Sequence, residues 1–248
     1  MSRTQYFYDF PISSYYFGDE LVTNQFQNIS VYADVIDQVK NASSSYIDYY
    51  ILPGERPDQL SYKLYGDTQF YWTFFLMNDK LREQGWPLSH SKLYDWAVKN
   101  YNERVITTKS VLTDKFAVGK TIQGNTSSAS GTIIKRDLDL GQVWVEASTN
   151  VFQAGEVVVD TADGSKSITV LSTENRINAA HHYEKTAAAV QGDHHDIDPA
   201  SDRPSTEAVE KTWMDRLTVQ NDNLKSIVIL RNELVIDIAR SFQDAVRL

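Results

Sequence analysis

The feature that most constrains the fold is a change of composition near residue 105. From there to residue 172 lie six of the eleven glycines of the chain, while aromatic residues become sparse. Short β-branched runs alternate with turn-forming residues in this stretch. Several short strands at such spacing are typical of a small barrel or sandwich. We therefore predict an inserted small all-β barrel or sandwich module over residues 105–172.

Outside this module the apolar residues mostly follow helical spacing, with two short strand-like runs among them. Pro57 suits the first position of a helix, and Gly66 suits the left-handed position that ends one. Asp67 or Thr68 can cap the next helix. The predicted helices are 28–42, 57–65, 69–77, 91–101, 206–220 and 233–246, and the predicted strands are 46–52 and 224–230. Helices and strands together predict an α+β fold.

These segments divide the chain into five parts. An aromatic N-terminal arm covers residues 1–27, and an α+β core covers 28–104. The all-β module at 105–172 follows, and then a polar loop at 173–205. Residues 206–248 form a helix, a strand and a helix that we expect to return to the core.

Composition excludes several classes of function. The chain has no cysteine, which removes disulfides, thiolate metal sites and cysteine nucleophiles. Its net charge is −9 and its basic residues do not cluster, so we expect no nucleic-acid partner. No apolar run is long enough for a membrane helix, and the first residues lack the apolar core of a signal peptide. We expect no membrane association.

The N-terminal arm is unusually aromatic. Its seven aromatic side chains show neither helical nor strand spacing, and they are too apolar for a solvated tail. They either pack on the chain's own core or bind a partner, and the sequence leaves both readings open. The candidate partner-binding residues are Tyr6, Phe7, Tyr8, Phe10, Tyr15, Tyr16, Phe17 and, farther along the chain, Trp86.

The chain has no recognisable catalytic motif. Two histidine pairs, 181–182 and 194–195, are followed by Asp196 and Asp198, and these residue types can bind zinc. Adjacent strand residues point to opposite sides, so a polar loop is the simpler reading. Asp137 and Asp139 fit a turn better than an acid–base pair. We predict no enzyme activity, no metal and no cofactor.

The aromatic segment Phe70–Met77 allows two interpretations. Such a helix could line a ligand site, because apolar and aromatic side chains predominate in ligand pockets. It is apolar nearly all round, however, and a helix of that kind is usually buried on most sides. We predict core packing for this helix.

Two stretches resemble the baseplate wedge subunit of T-even-type contractile-tailed phages, a family with a LysM-like core. The first runs from Tyr49 to Asp79, and the Gly85-Trp86 pair matches as well. The second runs from Gln220 to Phe242 and fits the family's C-terminal strand and helix more loosely. The motifs of the first stretch are the Tyr49-Tyr50-Ile51 strand, the Arg56-Pro57-Asp58 helix start, the Leu64-Tyr65-Gly66 stop, the Tyr71-Trp72 helix and the Asn78-Asp79 ending.

The resemblance implies a LysM-like βααβ core and a structural role. A family member would link baseplate wedge subunits to one another near the base of the sheath, as one part of a hetero-oligomer in a six-fold assembly. Its partners would be other wedge subunits and sheath-initiating tail proteins. The protein would assemble in the host cytoplasm and reside in the virion tail. The alternative is a LysM-type module that binds peptidoglycan or another glycan.

Overall fold

The computed structural model describes residues 12–16, 23–27, 46–146, 150–185, 194–195 and 208–247. They form two compact units. The first lies within Met1–Ser89 and Asn221–Leu248, and the second within His90–Gln220. Helices and strands occur in both units, which confirms the predicted α+β class. The helix predicted over 28–42 lies outside the described residues.

The described residues of the first part of the chain supply three strands and three α-helices to the first unit. Strand β1 pairs with β2 as an isolated antiparallel hairpin. A 3₁₀ helix at Thr68–Tyr71 precedes α2. The strands are β1 (Ile12–Tyr16), β2 (Thr23–Gln27) and β3 (Tyr46–Tyr50), and the helices are α1 (Pro57–Tyr65), α2 (Trp72–Met77) and α3 (Asp79–Gln84).

The second unit begins with a helix and continues as a series of strands. A short 3₁₀ helix, Arg176–Asn178, interrupts the series. The elements are α4 (His90–Asn100), β4 (Arg104–Thr107), β5 (Thr121–Gly124), β6 (Ser130–Asp137), β7 (Gln142–Val145), β8 (Val157–Asp160), β9 (Ser167–Thr169), β10 (Ser172–Asn175), β11 (Ala180–Lys185), β12 (His194–His195), β13 (Ala208–Thr212) and α5 (Trp213–Asn223). The chain then completes the first unit with β14 (Ser226–Leu230) and α6 (Asn232–Arg247).

Local signals set the helix boundaries of the first unit as predicted. Pro57 occupies the start of α1, and Gly66 ends that helix with a φ of 72°. A left-handed residue at this place is favourable for glycine, which has no Cβ to clash. The side chain of Asp67 then accepts a hydrogen bond from the backbone N–H of Gln69 and caps the 3₁₀ helix. Gly66 therefore ends α1, and Asp67 begins the 3₁₀ helix directly after it.

The core of the first unit lies on both faces of the β3–β14 ribbon. The aromatic helix α2 contributes to both clusters, with Phe74 and Leu76 fully buried. Each such side chain stabilises the fold by about 1.5–3 kcal/mol. This agrees with the core role predicted for the Phe70–Met77 segment. One cluster contains Phe70, Trp72, Leu76, Met77, Leu230, Val235 and Ala239, and the other contains Ile51, Leu60, Phe74, Leu81, Leu224, Ile227 and Ile229.

Strand pairing in the first unit is non-local. Strand β14 pairs antiparallel with β3, from Ser226 opposite Tyr50 to Leu230 opposite Tyr46. After β3 the first unit continues with α1, α2 and α3 before it reaches β14, and the whole second unit intervenes in the chain before that last strand. The LysM likeness itself stays a prediction.

Strands β4 to β10 of the second unit form one seven-stranded antiparallel sheet in the order β10-β4-β7-β6-β5-β8-β9, and β11, β12 and β13 form a separate three-stranded sheet. Ile106 of β4 and Ile168 of β9 belong to the same buried cluster, although they lie near opposite ends of the sheet. The sheet must therefore curl around its core. Its edge strands β10 and β9 do not pair with each other. Within the described residues, the predicted barrel is thus an open, curled sheet and not a closed barrel.

The reason for the open edge is local. Strands β9 and β10 are separated only by Val170 and Leu171, so one short segment serves both ends of the sheet. The N–H of Val170 donates to the carbonyl of Glu156, and that of Leu171 donates to the carbonyl of Thr107. This segment hydrogen-bonds to both ends of the sheet, and its two strands do not pair with each other.

Two sequence interpretations were wrong in the last part of the second unit. Residues 180–185 were expected in a polar loop but form β11, which pairs with β12 and β13. Residues 208–212 were expected in a helix but form β13, and the helix begins only at Trp213. Pairing with β11 overrides the local helical pattern. Thr212 then caps α5 through reciprocal hydrogen bonds with Asp215.

Candidate interaction surfaces

The outer edge of β14 is closed by three side chains of the first unit. The amide of Asn78 makes a two-way contact with Val228, donating to its carbonyl at 2.7 Å and accepting from its N–H at 2.9 Å. The hydroxyl of Tyr65 donates to the carbonyl of Leu230 at 3.0 Å. The ammonium of Lys80 donates to the carbonyl of Ser226. These side chains take the place of a neighbouring strand.

Burial at this edge changes the pKa of Tyr65. It raises the pKa of Tyr65 to about 12, although hydrogen bonds to Thr73 and to the backbone of Leu230 act in the opposite direction. The Tyr65 side chain is therefore a neutral phenol in the folded protein. A neutral phenol is a donor, which is what the carbonyl of Leu230 requires.

The outer edge of β3 is open within the described residues. In an antiparallel ladder, residue pairs alternate between those that exchange hydrogen bonds and those that do not. The N–H of Ile51 donates to the carbonyl of Lys225, which fixes the alternation. The backbone groups of Tyr46, Asp48 and Tyr50 therefore face away from β14. No described residue hydrogen-bonds to them.

The side chains along this edge are apolar with one charge among them. Ile47 is 44% exposed and Tyr50 is 56% exposed, and Leu52 beyond the strand is 53% exposed. Asp48 is exposed and forms no ion pair within the described residues. The edge therefore presents hydrogen-bonding backbone, apolar surface and one carboxylate together.

A polar network fixes the turn that follows β3. The carboxylate of Glu55 accepts hydrogen bonds from the hydroxyl of Tyr49 and from the N–H of Leu52. The ammonium of Lys63 lies 3.1 Å from that carboxylate and 3.0 Å from the Tyr49 oxygen. Hydrogen bonds to Tyr49 and Glu55 raise the pKa of Lys63, which stays charged. The network holds the end of β3 against α1.

Trp86 packs within its own unit. It is half-buried, and its indole N–H donates to the carbonyl of Glu55 at 2.7 Å. Its ring centre lies 5.9 Å from that of Phe74 and 5.9 Å from that of Phe75. These contacts give Trp86 a structural role. A contact between Trp86 and a partner stays a prediction.

The other predicted partner-binding residues lie at the N-terminal end. Tyr15 belongs to β1 and is 61% exposed, and Tyr16 ends the same strand. None of the ring contacts of Trp86 is with Tyr15. Partner binding by these residues also stays a prediction. Tyr6, Phe7, Tyr8, Phe10 and Phe17 lie outside the described residues.

In the second unit, the guanidinium of Arg176 sits among three aromatic rings. Its central carbon lies 3.9 Å from the ring centre of Tyr101, 4.5 Å from that of Trp213 and 4.8 Å from that of Trp144. Arg176 also forms an ion pair with Glu103 at 3.1 Å. Such rings can bind an external cation, but this cage is already filled by the protein's own arginine. Sequence analysis did not identify the cluster, because its members are far apart in the chain.

His182 borders an open cleft of about 410 Å³ between β11, β13 and α5. The carboxylate of Glu184 lies 3.2 Å from Nε2 of His182 and 3.6 Å from the ammonium of Lys211. Burial acts to raise the pKa of Glu184, but these two partners outweigh it and lower the pKa. Glu184 therefore pairs with two other side chains of the cleft, His182 and Lys211.

The residues considered as possible zinc ligands are described only in part. Among the described residues, no group of three histidine, aspartate or glutamate side chains could hold a metal ion. Asp196 and Asp198 lie outside them. The Asp137 carboxylate accepts a hydrogen bond from the N–H of Leu140, as expected for a turn residue. In the described part of the chain, no helix has the length and apolarity needed to cross a bilayer.

Glu156 organises two loops of the curled sheet. It is 5% exposed, and its carboxylate accepts hydrogen bonds from the N–H groups of Thr126, Ser127 and Gln153 and from the Ser127 hydroxyl. Gly124 is required beside it, because a Cβ there would lie 2.7 Å from the carboxylate oxygens. Burial alone would raise the pKa of Glu156, but the hydrogen bonds outweigh burial and lower it.

A pH dependence of stability follows from Glu156. Because its pKa is lower in the folded state, its contribution is complete above the ordinary value of 4.5 and is lost as the pH falls through the folded value. Glu156→Gln should cost about 2 kcal/mol at pH 7, since hydrogen bonds to a charged group are worth about 1.5–3 kcal/mol. Denaturant unfolding of both proteins between pH 7 and pH 3 measures the difference. It should shrink as the pH falls, and a constant difference would contradict the assignment.

Comparison with known protein families finds a match to part of the chain. Residues 18–113 match the family model of base plate wedge protein 53. The predicted resemblance to a baseplate wedge subunit is thereby confirmed. We call residues 18–113 the wedge region. None of the curated proteins is similar enough to the chain to count as a match.

The wedge region contains β3 and helices α1 to α4, and therefore the open strand edge. Strand β14 lies outside the matched residues but completes the β3 ribbon. The match supports a structural role in a phage baseplate, which places the protein in the phage tail. The family description is that of a structural baseplate component.

Proposed function

We propose that this chain joins the wedge subunits of a contractile tail baseplate to one another near the base of the sheath. The match of residues 18–113 to the baseplate wedge family carries the proposal. The partners would be other wedge subunits and sheath-initiating tail proteins, in a hetero-oligomer of a six-fold assembly. The interfaces would rearrange when the tail contracts.

Two properties of the chain suit this function. A linking subunit must bury surface against several neighbours, and the wedge region exposes Ile47, Tyr50 and Leu52 close together in the chain. The net charge of −9 opposes self-association before the neighbours arrive. Assembly would take place in the host cytoplasm, where the absence of cysteine makes the chain insensitive to thiol redox conditions.

Co-expression with the neighbouring tail proteins tests the proposal. We expect the full chain to co-elute with them in a complex of defined stoichiometry when size-exclusion chromatography is combined with light scattering. Alone, the chain should be a monomer. A chain that stays monomeric with every tail protein would overturn the proposal.

A LysM-type glycan-binding module is the second candidate function. The helices α1 and α2 that follow β3, together with the pairing of β14 to β3, favour it. Sedimentation with insoluble peptidoglycan distinguishes the two functions. We expect the chain to remain in the supernatant, and strong retention on the pellet would favour glycan binding over a purely structural role.

A further inference from the structure

We propose that the outer edge of β3 receives an extended strand from a neighbouring baseplate protein, with a basic side chain opposite Asp48. The inference rests on the proposed function, because it takes the partner from the same assembly. It adds the binding mode, the location of the interface and the chemistry of the bound segment.

The first step is the backbone of β3. The N–H and carbonyl groups of Tyr46, Asp48 and Tyr50 point outward, as the β3–β14 register requires. They are alternate residues on a strand of five, so an added strand could bond to all three. The β3–β14 ladder uses the other residues of the strand. Strand addition would therefore leave the existing ribbon unchanged.

The second step is the contrast between the two edges of the ribbon. Natural sheets protect their edges because an open edge pairs with other strands. Asn78, Tyr65 and Lys80 close the edge of β14 with hydrogen bonds to successive outward residues. No described residue provides such protection for β3. The ribbon can therefore accept a new strand on one side only.

The third step excludes a second copy of the chain as the occupant. An antiparallel pairing of two β3 strands that includes all five residues is centred on Asp48. It would place two carboxylates directly opposite each other, which is destabilising. The net charge of −9 also opposes the approach of two copies. A different protein is the occupant that fits.

The fourth step is the chemistry of that protein. Asp48 is exposed and has no ion pair in the described part of the chain, so a lysine or arginine opposite it gains a partner. Ile47 and Tyr50 lie on either side of it in the chain and on opposite faces of the ribbon. The bound segment should therefore carry one basic residue with apolar residues near it. Such a segment would add strand hydrogen bonds, apolar burial and one ion pair.

Hydrogen exchange on the full chain tests the geometry. In the free chain, the amides of Asp48 and Tyr50 should exchange fast, while those of Ile47 and Tyr49 should be protected by β14. In the co-expressed complex, all four should be protected, with the outward pair slowed by at least about tenfold, which corresponds to 1.4 kcal/mol. Slow exchange of the outward amides in the free chain would mean that the chain covers its own edge, and would overturn the proposal.

Charge reversal tests the partner chemistry. Asp48→Lys should weaken binding to the neighbour on the order of tenfold or more, because it puts like charges opposite each other. Glu83→Lys is the matched control, since Glu83 is also exposed and lies on α3. It changes the net charge equally and should leave affinity within about threefold, since an exposed charge away from the interface acts only through screened long-range attraction. Circular dichroism of both variants checks that the fold is kept.

The outcomes separate this inference from the proposed function. If the wild-type chain forms no complex with any tail protein, both fail. If the complex forms but Asp48→Lys binds as well as Glu83→Lys, and the exchange of the outward amides does not change, only the strand addition fails. Formation of a wild-type homodimer with protected outward amides would replace the partner by a second copy.

Discussion

Arg176→Ala should lower the free energy of unfolding by about 3–5 kcal/mol. The guanidinium contacts three rings, and each cation–π contact is worth about 0.5–2 kcal/mol. Its removal also leaves Glu103 without its ion-pair partner in a site where both side chains are only about a fifth exposed. Breaking a buried ion pair costs about 3–5 kcal/mol because one charge remains uncompensated. Denaturant unfolding followed by circular dichroism measures the change.

Two control variants assign the cause of this loss. Arg176→Lys keeps the charge but loses the planar contact with the rings, and we expect about half of the full effect. The double variant Arg176→Met with Glu103→Gln removes both charges and keeps most of the volume. It should be more stable than Arg176→Ala, because no buried charge is left unpaired. A cost below about 1 kcal/mol for Arg176→Ala would show that the cluster contributes little to stability.

Asn78→Ala should cost about 3 kcal/mol. Asn78 is 6% exposed, and its side chain satisfies the N–H and carbonyl of Val228 together with the carbonyl of Phe74. Each buried backbone group that loses its partner costs about 1–3 kcal/mol, and the three costs are not fully additive. Thermal and denaturant unfolding of the variant give the loss directly.

Asn78→Asp provides the sharper comparison. A carboxylate can accept from the Val228 N–H but cannot donate to the two carbonyls, so at pH 7 this variant should be at least as unstable as alanine. Burial beside two carbonyl oxygens raises the pKa of the new carboxyl in the folded state. Its stability relative to wild type at the same pH should therefore improve as the pH falls, because protonation restores a donor. An aspartate variant as stable as wild type at pH 7 would contradict the contact.

The candidate surfaces were only partly accessible to sequence analysis. Aromatic composition singled out Trp86, which the fold uses to cover Phe74 and Phe75. The open edge of β3 depends on which strand pairs with it and which side chains close the other side. No property of the sequence from Tyr46 to Tyr50 distinguishes a paired edge from a free one. The Arg176 cluster was missed for the same reason, since its residues meet only after the sheet has formed.

Much of the fold was determined locally by the sequence. Pro57, Gly66 and Asp67 fix the ends of two helices through backbone geometry and hydrogen bonds between near neighbours. Four β-branched runs of the second unit contribute to strands, because turns on both sides left each run only a few residues long. The runs are 132–134, 143–145, 157–159 and 168–170. Signals of this kind act over a few residues and can be read in a single sequence.

Tertiary structure decided which strands pair with each other. Residues 208–212 have helical spacing but extend as β13 because β11 offers a ladder, and residues 180–185 are polar but extend for the same reason. Asn78 ends a helix as its sequence predicts, yet its side chain is committed to Val228, 150 residues away. The hydrogen bonds of paired strands can join segments that are far apart in the sequence. Which strands pair with each other therefore depends on the whole fold. The sequence alone determined most of the local elements and the family resemblance, and the tertiary structure determined which edge of the β3 ribbon remained open.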